Sequence, residues 1–196
     1  MTNSKKLSWI LSQSIFIILL PWVIRLLAYL HPVAIGVVWI CLTTLVFLMV
    51  YGLRGERLTI SYPLFVSLFV IYNICLFTLL FFRPQDQSYG DWNFIPFTTM
   101  TSYFLESHNL IVATYNLLAN IALFIPWGWF LLYHGQTWAI YKKLLLPLSC
   151  ILLIEILQFF TNRGNFDIDD LLLNLLGVGI GYWLYPLFAK VVDIQT

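Results

Sequence analysis

Charged side chains are scarce in this sequence. Lysine, arginine, aspartate and glutamate make up 10% of its 196 residues, against 61% hydrophobic ones. A globular chain in water carries about 25% charged residues and roughly 45–50% apolar ones. A fold of this size cannot hide the excess apolar surface, so a soluble domain is excluded. The net charge of +1 provides no field to draw nucleic acid or acidic substrates. Cysteine is scarce too. Cys41, Cys75 and Cys150 each lie inside an apolar run, with no C-x-x-C or Cys/His spacing, which excludes a disulfide framework or a zinc site. His31, His108 and His134 fall in different links and form no metal cluster. There is no internal repeat, no Gly-rich phosphate loop, no G-x-S-x-G elbow and no H-E-x-x-H pair.

What is present is long hydrophobic runs, with a mean hydropathy of +0.87. A membrane-crossing helix needs about 20 apolar residues at about 1.5 Å per residue. Six runs meet that length: Leu7–Tyr29, Val33–Leu53, Thr59–Phe82, Ile111–Tyr133, Leu144–Phe160 and Asp170–Lys190. The first follows Lys5 and Lys6 but is too long, and lacks a small-x-small site, for a cleaved signal. The expected fold is therefore all-α: one polytopic membrane domain, residues 1–196, of about six transmembrane helices. The one long link, Arg83 to Leu110, contains an apolar piece from Phe94 to Leu105, too short to span and suited to an interfacial or re-entrant position.

Basic residues set the expected orientation. Lys5, Lys6, Arg54, Arg57, Lys142, Lys143 and Lys190 fall at one set of span ends, and only Arg25, Arg83 and Arg163 at the other. The positive-inside rule then places both termini in the cytoplasm. The long link and the NRGNFDIDD turn (Asn162–Asp170) face outward under this topology.

Polar residues within the last three spans all fall in the outer half. Glu155 lies five residues before Phe160, roughly 7–8 Å below the outer end of its helix. Gln158 follows at i+3 on the same face. Asn116 and Asn120 form an i, i+4 pair in the fourth span, as do Asp170 and Asn174 in the sixth. A central charge in hydrocarbon costs about 2.5–3.5 kcal/mol, so these groups should face one another or a wet cavity. Arg83 and Arg163 are the plausible counter-ions for Glu155. The asparagines also fit interhelical hydrogen-bond glue, and Gly177 and Gly181 fit close helix packing. Among Asp167, Asp169 and Asp170, one cap for the sixth helix would use Asp167 or Asp169. Three carboxylates exceed one cap, which favours a polar, outward-facing pocket. Were a cation held there, oxygen-only ligands would suit Ca²⁺ or Mg²⁺ over zinc; no cofactor is required.

Four ordered pieces carry a resemblance: NFIPF (Asn93–Phe97), NIALFIPWG (Asn120–Gly128), IEILQFF (Ile154–Phe160) and FDIDDLLLNLLGVGIG (Phe166–Gly181). The chain resembles the VanZ-like family of small bacterial membrane proteins, with Arg83 just upstream as a further match. The resemblance covers the second half, so a core over 59–190 is expected behind variable helices in 1–58. It implies a protein of the bacterial cytoplasmic membrane related to one associated with low-level teicoplanin resistance. The expected ligand-binding set is Arg83, Asn93, Asn116, Asn120, Glu155, Gln158, Arg163, Asp167, Asp169, Asp170 and Asn174. The expected partners are membrane lipids and a lipid-linked cell-wall precursor or lipoglycopeptide, not nucleic acid. A binder is favoured over a metal-assisted enzyme on a lipid-linked substrate, in which Glu155 would be the acid or base.

Overall fold

The computed structural model describes residues 3–26, 32–81, 92–105 and 110–195. Seven helices run through them: α1 (Asn3–Leu26), α2 (Val33–Arg54), α3 (Tyr62–Phe81), α4 (Thr98–Leu105), α5 (Leu110–His134), α6 (Ile140–Phe160) and α7 (Ile168–Val191). Six of them are long and apolar enough to cross a membrane. At eight residues, α4 reaches about 12 Å and cannot. The chain is thus an all-α polytopic membrane protein. His31, Arg83 and His108 lie outside the described residues.

Four short strands accompany the helices, and no hydrophobic run announces them. β1 (Leu58–Ser61) pairs in parallel with β4 (Val192–Gln195), and β2 (Trp92–Asn93) with β3 (Phe166–Asp167). β1 takes the residues expected to open the third span, so α3 starts at Tyr62, with Pro63 in its first turn where a missing N–H costs nothing.

Two compact units divide the chain, one formed by 1–84 and 186–196, the other by 85–185. In the first, α1 packs on α2 through a stripe of buried serines, Ser4, Ser8 and Ser12, at i, i+4 and i+8. Small side chains let the helix backbones approach closely, which substitutes for the hydrophobic drive that lipid removes. Polar contacts fix the register: Arg54 Nη1 donates to Ser4 Oγ at 2.9 Å, and Trp39 Nε1 to Gln13 Oε1 at 2.9 Å. Gly55 ends α2 at φ 62°, so that its own N–H reaches Gly52 O and that of Glu56 reaches Tyr51 O. That left-handed cap favours glycine. β1 follows directly and pairs with β4, so α1's first turn and the C-terminal strand both meet the α2–α3 connection.

In the second unit α5 and α7 touch backbone to backbone. A Cβ at Gly177 would collide with the Ile121 carbonyl oxygen, and one at Gly181 with that of Ile125. One at Gly128 would meet the Val178 carbonyl and lie 2.7 Å from Gly181 Cα. The seam is built from glycines on both helices.

Candidate functional site

The site grows from the turn between α6 and α7. Asn162 adopts φ 52°, and the next N–H, of Arg163, returns to Gln158 O at 2.8 Å. Asparagine tolerates this left-handed position better than most residues. Gly164 is buried against the Gln158 side chain. The chain then passes through β3 into α7, where Asp167 Oδ1 accepts the N–H of Asp169 at 2.9 Å and caps the helix.

Both of these carboxylates also grip the 92–105 segment. Asp167 Oδ1 accepts Asn93 Nδ2 at 3.2 Å and its Oδ2 accepts the Thr99 hydroxyl at 2.5 Å. Asn93 Nδ2 also reaches Thr99 Oγ1 at 3.0 Å, and Asn93 Oδ1 accepts the Ile95 N–H at 3.1 Å. Asp169 Oδ1 accepts the Phe97 N–H at 2.6 Å, and its Oδ2 that of Met100 at 3.1 Å. Asp169 therefore caps α4 from a distant part of the chain, opposite the positive end of that helix dipole. Phe97 sits at φ 68°, a left-handed strain of order 1–3 kcal/mol for a bulky side chain. Two hydrogen bonds to a charged acceptor, about 1.5–3 kcal/mol each, outweigh it.

Asp170 points elsewhere. Its Oδ1 accepts Asn120 Nδ2 of α5 at 2.5 Å, one helical turn before Asn174. Asn174 is 3% exposed, and among the described residues its Oδ1 has no hydrogen-bond partner. It stands on α7 between Asp170 and the glycine seam. Glu155 and Gln158 on α6 are also 3% exposed. Asn116 lies one turn before Asn120 on α5, half-buried and engaged in contacts of its own. Arg163 is half-buried in the turn.

The clamped segment and the end of α6 carry exposed apolar side chains. Trp92, Phe94, Ile95, Phe97 and Phe160 are all exposed. Trp92 stacks on Phe159 with centroids 5.1 Å apart, and Phe94 tilts against Phe166 at 5.2 Å.

The structure joins Asn93 to Asp167 and Asn120 to Asp170, and it spends Asp167 and Asp169 on holding the chain together. Their oxygens face N–H and O–H donors. Among the described residues, no group of three or more His, Cys, Asp or Glu stands where it could hold a metal ion. Thr99 and the backbone N–H groups of Phe97 and Met100 complete the clamp without having been singled out in the sequence. Thr99 is one of four serine and threonine residues, Thr98, Thr99, Thr101 and Ser102, in the piece from Phe94 to Leu105, and nothing in the sequence sets it apart from the others. Backbone donors leave no mark in a sequence.

Six helices long and apolar enough to cross a membrane, with buried carboxylate and amide side chains on α6 and α7 and half-buried asparagines on α5, define a multi-pass membrane protein. The chain belongs to the VanZ family: the family model described as VanZ/LLP1 matches residues 69–189, more than half of the sequence. The match begins within α3 and includes every residue of the clamp and of the buried polar set. Searches among curated proteins and solved structures returned no match.

Proposed function

We propose that this VanZ-family protein is a non-catalytic binder in the bacterial cytoplasmic membrane that takes up an amphiphile from the outer leaflet. The ligand is a lipid-linked cell-wall precursor or a lipoglycopeptide of the teicoplanin type, and binding lowers susceptibility to such antibiotics. The observation that carries the reading is Asn174, whose buried Oδ1, one turn below the Asp170–Asn120 hydrogen bond, meets no donor among the described residues. An unsatisfied buried acceptor costs about 1–3 kcal/mol, and a ligand N–H or O–H would remove that cost. Glu155, Gln158 and Asp170 add further acceptors to the same unit, which favours a head group rich in amide, amine or hydroxyl donors. Trp92, Phe94, Ile95 and Phe97 offer apolar surface for the tail. Asp167 and Asp169 position the segment that carries them; Arg83 and Arg163 are the groups suited to a phosphate or carboxylate.

The test is survival of a susceptible host on teicoplanin, with binding of a fluorescent lipoglycopeptide to the reconstituted protein measured in parallel. Glu155→Ala and Asp170→Ala should each lose protection and binding at unchanged membrane abundance. If both variants protect and bind as the parent does, the buried polar set is not the binding site.

A further inference from the structure

A groove of about 460 Å³ opens at the other end of the second unit, where α5 turns into α6. Its volume falls in the range of about 300–1,000 Å³ typical of ligand sites. Lys142, Leu145, Leu146 and Ser149 of α6 line it, together with Trp138 and Tyr141. The first four recur at i, i+3, i+4 and i+7, so they share one helix face. From Glu155 to Lys142 is 13 residues, or about 20 Å along α6. The groove is therefore separate from the buried polar set.

Its chemistry changes along its length. Lys142 is a cation near the start of α6, with Trp138 and Tyr141 beside it, residue types that settle at the headgroup level of a bilayer. Leu145 and Leu146 continue the groove as exposed apolar surface. No aspartate or glutamate occurs between Ser107 and Ile154, so the one carboxylate on α5, α6 or their link is Glu155, about 20 Å along α6 from Lys142. The neighbouring lysine is turned aside: Lys143 Nζ donates to Gln136 O at 3.2 Å, and its carbonyl accepts the Tyr182 hydroxyl at 2.8 Å. A cation above an apolar trough, with no carboxylate paired to it among the described residues, complements an anionic head carrying an acyl chain.

We infer that this groove binds an anionic phospholipid, its phosphate at Lys142 and one acyl chain along Leu145 and Leu146. The experiment is native mass spectrometry of the full chain in detergent, titrated with phosphatidylglycerol or with phosphatidylcholine of the same chains. Phosphatidylglycerol should be retained preferentially, and millimolar inorganic phosphate should not displace it. Lys142→Gln should weaken its retention roughly fivefold, as expected for one interfacial lysine, whereas Lys143→Gln removes the same charge from outside the groove and should leave it unchanged. Ser149→Trp fills the groove with every charge kept and should also abolish the preference. Equal retention of the two lipids, equal loss from both lysine variants, or a Ser149→Trp protein that still prefers phosphatidylglycerol would each overturn the proposal.

Discussion

The carboxylate of Asp169, in the first turn of α7, accepts the backbone N–H of Phe97 at 2.6 Å across 72 residues of sequence. With the Met100 N–H on its other oxygen, it closes the N-terminus of α4. Replacing Asp169 by asparagine keeps the volume but removes the charge and sets an amide N–H₂ against a backbone donor. Each charge-assisted bond is worth about 1.5–3 kcal/mol, and about 1.4 kcal/mol is tenfold in an equilibrium. Hydrogen exchange at the Met100 amide should therefore accelerate at least tenfold in Asp169→Asn. Asp193→Asn, on β4 in the other unit, should leave it unchanged. Protection equal to the parent's in Asp169→Asn would mean that α4 is held by something else.

How much of this was readable in advance follows from what kind of group does the holding. The spans are legible because roughly 20 consecutive apolar residues have no other stable use in a chain so poor in charge. The boundaries slip where a few residues are captured by pairing, as when Leu58–Ser61 joins the C-terminal strand and delays α3. A cap at Asp167 or Asp169 was legible, since aspartate before a helical run is a local signal, and the earlier start of α7 at Ile168 is what selects Asp167. Its second grip on Asn93 and Thr99 was not, because parallel pairing of β2 with β3 is what brings them together. Ser4, Ser8 and Ser12 stood in plain view at helical spacing. Serine is close to neutral on hydropathy scales, so a reading led by hydrophobic runs passes over a polar stripe that packs.

The glycine seam gives a sharper stability test than any polar residue. A methyl group at Gly177 would collide with the Ile121 carbonyl, which as backbone cannot turn away. Gly177→Ala should lower stability by about 1–3 kcal/mol, the usual cost of overpacking, read as a lower melting temperature in detergent. Gly179, two residues on, has nothing within 4 Å of its added Cβ. Gly179→Ala should be neutral or stabilising by up to about 1 kcal/mol, since alanine is the better helix former. Equal destabilisation by the two substitutions would show that the α5–α7 contact does not govern stability.

Orientation is testable with the same economy of changes. After Cys41, Cys75 and Cys150 are replaced by serine, a single cysteine is introduced at Asn165 in the α6–α7 turn or at Glu56 after α2, both exposed positions. With both termini cytoplasmic, as the lysine distribution implies, a membrane-impermeant maleimide should label Asn165→Cys in intact cells. Glu56→Cys should react only after permeabilisation. The reverse pattern would invert the protein, and the buried polar set would then lie toward the cytoplasm.

Asn174 separates a residue kept for binding from one kept for stability. An asparagine that glues helices is hydrogen-bonded, and leucine in its place leaves its partner orphaned and costs about 1–3 kcal/mol. Among the described residues Asn174 Oδ1 has no partner to orphan, so Asn174→Leu removes a buried acceptor and substitutes an apolar side chain of similar size. The variant should melt at or above the parent's temperature in detergent and lose lipoglycopeptide binding. The two readouts move in opposite directions only if the side chain is held unpaired for a ligand. A drop in melting temperature with binding retained would make Asn174 an ordinary interhelical contact and leave the proposed head-group site without its central acceptor.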